Sequence, residues 1–171
     1  RFGHMYPKAA LPDGSDATVV AWIWARTVKC PNPACGVQMP LVKSWWLGKK
    51  PGRLSYIVPR VDGSAINFEI HHEPETAPAK GADGTMTGRA GAVCVACGTP
   101  VSSTYLKSEG MAGRMGSQLL AVATEGFRQR VYLPADEIQV AASVVPRSES
   151  IPDEALSTNS QYMGTSLYGM H

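Results

Sequence analysis

Residues 17–26, Ala-Thr-Val-Val-Ala-Trp-Ile-Trp-Ala-Arg, are β-branched and aromatic with almost no polar break. Such a run predicts a strand buried on both faces, and a strand of that kind belongs in the middle of a sheet. Ahead of it, Leu11-Pro-Asp-Gly-Ser-Asp16 predicts a turn, because Pro12 fixes φ and Asp13-Gly14 favours reversal. Residues 41–47, 53–61 and 64–72 predict three short strands, separated by Gly48-Lys-Lys-Pro-Gly52 and by the hairpin dipeptide Asp62-Gly63. In the third, Ile66, Phe68 and Ile70 alternate with Asn67, Glu69 and His71, the mark of a half-exposed strand. Residues 73–91 are rich in Pro, Gly, Ala and Thr and predict a mobile loop.

Beyond Pro100 the pattern changes. Residues 102–110 and 112–125 predict helices, the second with Met115, Leu119, Leu120, Val122 and Ala123 on one side and Gly126 as its stop. Residues 129–133 predict a strand and 135–142 a further helix; 145–171 read as a Ser/Pro/Asn-rich linker. The class is therefore α+β: a small β unit followed by a short helical segment. Residues 1–29 form a lead-in turn and buried strand, 30–101 the β unit, 102–144 a helical or mixed segment, and 145–171 the linker. A strand buried on both faces needs more sheet than these residues predict. That expectation, with Arg1 in place of an initiator Met and no tidy terminal element, points to an internal piece of a longer polypeptide.

The chemistry lies in four cysteines. Cys30-Pro-Asn-Pro-Ala-Cys35 and Cys94-Val-Ala-Cys97 are each followed at once by glycine and then by a proline, Pro40 or Pro100, and no cysteine is left over. Two thiolates on a tight turn hold two corners of a tetrahedral Zn²⁺ site, and a second such turn supplies the other two. The glycine lets the chain turn away at φ > 0 while backbone N–H groups face the sulfurs. The predicted site is one structural Zn(Cys)4 centre of ribbon type; two disulfides, a redox dithiol on Cys94 and Cys97, or buried free thiols are the alternatives. Fifty-eight residues separate Cys35 from Cys94, so an insertion between the two knuckles is expected.

Charge adds an asymmetry. Residues 1–60 carry nine basic against two acidic side chains, and 61–171 carry seven against twelve. A basic lobe of this kind suits a polyanion or an acidic partner, although intramolecular complementarity accounts for it equally. Trp45-Trp46 beside Lys43, Lys49, Lys50 and Arg53 mixes stacking surfaces with cations, as nucleic-acid sites do. Arg114, in Gly110-Met-Ala-Gly-Arg-Met-Gly116, stands in a helix-to-helix hinge that could set it on a phosphate or a carboxylate. His71 and His72 point to opposite faces of a strand, which argues against a shared metal. No nucleophile–His–acid set is discernible, so whether the chain has an activity of its own stays open. No apolar run is long enough to span a bilayer and no secretory signal is visible, an expectation of a cytoplasmic protein without membrane partners.

The run from Leu11 to Gly36, including Trp-Ala-Arg-Thr-Val-Lys-Cys-Pro-Asn-Pro-Ala-Cys-Gly, is distinctive. With Pro40-Leu41, Cys94-Val-Ala-Cys-Gly-Thr-Pro100, Glu109-Gly-Met-Ala-Gly-Arg-Met-Gly116 and Arg130-Val-Tyr-Leu133, it resembles the adenine-specific DNA methylases that contain a Zn-ribbon. These are prokaryotic proteins of restriction and phage-defence loci. The resemblance implies S-adenosylmethionine-dependent methyl transfer to adenine N6 in DNA, on a Rossmann-like α/β sheet, with the target base flipped out. It also implies that the remainder of the methylase chain and DNA are the partners. The two motifs that carry this chemistry, Phe-x-Gly-x-Gly for the cofactor and Asp/Asn-Pro-Pro-Tyr for the exocyclic amine, are absent from the sequence. By resemblance this chain is the zinc-ribbon segment inserted between them, with no catalytic residue and no S-adenosylmethionine site of its own. A free-standing zinc-ribbon module that binds nucleic acid or protein is the alternative.

Overall fold

The computed structural model describes residues 7–79, 83–126 and 129–144. The expected linker at 145–171 lies outside these residues. A two-residue ladder between β1 (Ala9–Ala10) and β2 (Asp16–Ala17) closes the Pro12-Asp13-Gly14 turn. Asp13 accepts from both the amide and the hydroxyl of Ser15 and so holds the reversal. The chain then enters β3 (Val19–Lys29) and returns through β4 (Gln38–Leu41). Next comes a meander of β5 (Trp46–Lys50), β6 (Arg53–Asp62) and β7 (Ala65–His71). A short hairpin, β8 (Gly91–Val93) and β9 (Pro100–Ser102), leads to α1 (Ser103–Met111). The described chain ends with β10 (Gly116–Gly126), β11 (Gln129–Pro134) and α2 (Glu137–Ser143).

Two antiparallel sheets make the body: β11-β10-β3-β4 and β5-β6-β7. They pack through Ala25, Ile57, Leu120 and Ala121, with Trp45 wedged beside them and Phe68 and Ile70 at the margin. The meander is the insertion expected between the cysteine pairs, and its last two strands match the predicted ones closely. The strand predicted at 41–47 is instead two pieces, β4 and β5. Between them Ser44 and the Trp45 amide are both held by the Asp83 carboxylate. The loop predicted as mobile is pinned on its later side. Thr85, buried, donates to the Pro40 carbonyl at 2.6 Å and accepts from the Val42 amide at 2.9 Å.

The largest departure from expectation is at 112–125, where the predicted helix is the strand β10. Helix α1 begins with Ser102 capping the Tyr105 amide and ends at Gly113, whose φ of 67° turns the chain while the Arg114 amide donates to the Glu109 carbonyl. Gly113 thus ends the first predicted helix, Gly126 ends a strand and not the second helix, and the predicted hinge joins a helix to a strand. Residues 119–124 are then buried without a break, with β3 on one side and β11 on the other. Short continuous apolar runs suit a central strand as well as a helix face. Here the backbone of β3 requires a partner along its length, and among the described residues β10 supplies it from Val19 to Thr27, with β4 joining only from Arg26 on.

It follows that β10, not β3, is the strand buried on both faces. Val20 and Trp24 in β3 remain 46% and 40% exposed, and only its second half, from Arg26 on, pairs with β4. The expectation of further strands rested on a β3 buried on both faces, and that premise does not hold: among the described residues β10 is the strand flanked by β3 on one side and β11 on the other. Replacing Leu120, 3% exposed, with Ala should cost about 2–5 kcal/mol in urea unfolding. Val20→Ala on the open part of β3 should cost less than about 1 kcal/mol. Equal costs would contradict this assignment of the central strand.

Candidate metal centre

Each cysteine pair sits at the tip of a hairpin. The first lies between β3 and β4, where the Cys30 amide donates to the Val37 carbonyl at 2.8 Å. The second lies between β8 and β9, where the Cys94 amide donates to the Thr99 carbonyl at 3.0 Å. In both, the glycine after the second cysteine takes the left-handed conformation, Gly36 at φ 59° and Gly98 at φ 72°. Each also donates its amide back across the turn, Gly36 to Asn32 and Gly98 to Cys94. A side chain at either position would strain the turn that aims the sulfurs.

The two tips face one another. The Sγ atoms of Cys30, Cys35, Cys94 and Cys97 all lie within 4.8 Å of one another. The cross-tip contacts are Cys30 to Cys97 at 3.7 Å and Cys35 to Cys94 at 3.9 Å. A tetrahedron of sulfurs about Zn²⁺ with Zn–S near 2.3 Å has edges of about 3.8 Å. The donor set, its number and its spacing therefore fit one four-sulfur metal centre. All four cysteines are free thiols rather than disulfides. The redox-dithiol alternative loses its structural basis, since Cys94-Val-Ala-Cys97 stands on a hairpin tip and the following helix starts only at Ser103.

The surroundings act on the sulfurs in both directions. Although the Val37 amide is aimed at Cys35, burial and the neighbouring Cys97 thiol hold that thiol above its ordinary value. Backbone N–H groups two residues on point back at Cys30 from Asn32, at Cys35 from Val37 and at Cys97 from Thr99. The Thr99 hydroxyl and amide pull the Cys97 thiol down to about 6. Burial has the opposite effect on Cys30, pushing it up to about 12. A buried cysteine of this kind ionises only with a counter-charge beside it, which a divalent cation provides. Asn32 ties the tips together: its side-chain amide donates to Thr99 Oγ1 at 3.3 Å, while its Oδ1 accepts from the Ala34 amide at 3.0 Å. Asn32 and Thr99 were not singled out from sequence, yet each stands two residues beyond a cysteine, where such support is expected. Below the centre lies a core of Val28, Val37, Met39, Ala92, Val101 and Leu106, and Tyr105 of α1 donates to the Lys29 carbonyl at 3.0 Å.

The other predicted site residues are not gathered in one place. Arg114 is committed to a carboxylate: its guanidinium grips Glu109 through two bonds, 2.6 and 3.0 Å, at the end of α1. Lys49 lies over the Trp46 ring, 5.7 Å from its centroid. Lys43 is exposed beyond β4, and Lys50 and Arg53 face each other across the β5–β6 turn. Of the two tryptophans Trp45 is in the core and Trp46 is half-buried against Tyr56. The histidines divide as expected, His71 contacting Glu69 and Glu73 while His72 Nδ1 lies 2.8 Å from the Leu54 carbonyl oxygen. Among the described residues no helix is long and apolar enough to cross a membrane.

Two outcomes follow. Stripping metal with a chelator should speed amide hydrogen exchange at least about tenfold at residues 30–39 and 92–101, with far less effect in β10. Uniform loosening, or none, would contradict a metal centre local to the tips. The Glu109 carboxyl is held below its usual value by its hydrogen bonds to Arg114. Its contribution to stability is therefore present above the unfolded glutamate pKa of about 4.3 and is lost as pH falls through the lower folded value. Glu109→Gln should flatten the acid limb of Tm against pH below about pH 4.5. An unaltered limb would show the pair to be without consequence.

No protein-family model matches the chain, and no curated protein or solved structure is significantly similar to it. The centre is accordingly defined by its own geometry: four cysteines on two facing hairpin tips, spaced to hold one metal ion.

Proposed function

We propose that this chain is the zinc-ribbon segment of an S-adenosylmethionine-dependent DNA adenine-N6 methyltransferase, in which a structural zinc fixes a scaffold that positions DNA. The observation that carries the reading is the convergence of four Sγ atoms within 4.8 Å on two hairpin tips. A closed set of four thiolates leaves a metal no open position for substrate or water, so the zinc is structural rather than catalytic. The DNA methylase context rests on the resemblance of the Trp-Ala-Arg-Thr and Cys-Pro-Asn-Pro-Ala-Cys-Gly stretch and of the blocks that follow it in order. The basic N-terminal third, with nine Lys and Arg against two acids in residues 1–60, supports a polyanionic partner.

A second reading, a free-standing zinc-ribbon module that binds nucleic acid or protein without catalysis, is favoured by one feature. Among the described residues β10 is buried between β3 and β11, both strands of this same chain.

Calorimetry should find no S-adenosylmethionine binding to residues 1–171 alone, because neither chemical motif is present. Micromolar affinity there would contradict the assignment. The polypeptide read outward from both ends should contain Phe-x-Gly-x-Gly and Pro-Pro-Tyr motifs and should methylate adenine in DNA. In it, Cys30→Ser with Cys94→Ser should abolish zinc content and reduce methylation through loss of folded protein. Stop codons on either side in place of the motifs would leave the module reading standing.

A further inference from the structure

A cleft between the β5–β6 hairpin and β11 gathers basic side chains from two distant stretches of sequence. Lys50 and Arg53 come from the hairpin tip and Arg130 from β11, and all three line a cleft of about 630 Å³. All three are exposed, and His72 lines the same wall. Among the described residues no Asp or Glu lines this cleft, and neither Lys50 nor Arg130 forms an ion pair. Nothing in the sequence pattern joined Arg130 to the hairpin cations, because it lies 77 residues beyond Arg53.

The cleft is built rather than incidental. The Pro51-Gly52 turn, with Gly52 at φ 73°, sets Lys50 directly opposite Arg53 in the ladder. The register of β5 shifts between Trp46 and Gly48, and the Leu47 carbonyl at the irregularity accepts the Tyr132 hydroxyl at 3.2 Å. This bond fastens one wall of the cleft to the other. Leu54, Pro74 and Val131 supply apolar lining between the cations. Little ordering is left for a ligand to impose, which favours binding.

We infer that this cleft holds the phosphodiester backbone of DNA, with Lys50 and Arg130 each contacting a phosphate. The inference rests on the DNA-positioning reading above and assigns its contact surface. A backbone presents a regular row of charges that satisfies several fixed cations at once, whereas an acidic side chain brings one charge on a flexible stem. The guanidinium of Arg130 also suits two-pronged contact with a phosphate. Such contacts set position without reading bases. Lys49 over Trp46 and Arg114 on Glu109 are already engaged and stand outside this surface.

The test is fluorescence anisotropy of the zinc-loaded chain with a labelled random-sequence duplex, over a series of salt concentrations. Each lost phosphate contact lowers the slope of log affinity against log salt by about 0.9. Lys50→Gln with Arg130→Gln should therefore flatten the slope by about two units, alike on every DNA sequence tried. Arg89→Gln with Lys107→Gln removes the same charge elsewhere and should leave the slope within about half a unit of the parent. Zinc content and thermal unfolding of both variants establish that they are folded. DNA binding with the same slope in the cleft variant as in the control would overturn the cleft while leaving the DNA reading intact. No DNA binding by the parent chain would overturn both, and tighter binding to poly-glutamate than to the duplex would assign the cleft to an acidic protein partner instead.

Discussion

Four sulfur atoms within 4.8 Å of one another are the constraint on which the rest of this structure depends. As thiolates they repel strongly, and as neutral thiols they give up the backbone donors aimed at Cys30, Cys35 and Cys97. A divalent cation resolves both problems and turns the repulsion into the bond that joins the two hairpin tips. Because 58 residues lie between Cys35 and Cys94, that bond also closes a long loop, and the entropy of closure rises only slowly with its length. An entire three-stranded meander can therefore be accommodated between the tips at modest cost.

Packing then spreads from the centre. Val28, Met39 and Val101 lead from the cysteines into the β3–β4 hairpin and the base of α1. From there Ile66 in the first cluster and Phe68, which borders both, carry contact to the two stacked sheets. The meander reaches β11 on its far side, where Tyr132 bonds to Leu47. Metal centre, stacked sheets and basic cleft are thus parts of one continuous scaffold, and the cleft inherits its shape from strands whose position the tips help to set.

What could be read from the residues alone was whatever is local. The Cys-turn-Gly pattern specifies a knuckle by itself, since the left-handed glycine and the N–H groups two residues beyond Cys30, Cys35 and Cys97 belong to the same few residues. The strands β6 and β7 were likewise legible through alternation and the Asp62-Gly63 reversal. What failed required knowledge of neighbours. The run 119–124 is apolar at every position but its last, and only pairing with β3 and β11 decides that it is a strand. Arg114 was legible as a residue set on a phosphate or a carboxylate, but which carboxylate it meets and where Arg130 lies were not. One depends on a helix ending where Glu109 can meet it, and the other on a sheet edge facing a hairpin 77 residues earlier in sequence.

The central claim is that the four cysteines bind one zinc ion together. X-ray absorption at the zinc edge of the purified chain tests it most directly. The account predicts one zinc per chain surrounded by four sulfurs at about 2.3 Å, with no nitrogen or oxygen in the first shell. Fewer than four sulfurs, a light-atom ligand, or protein that is folded and fully occupied by no metal at all would contradict it.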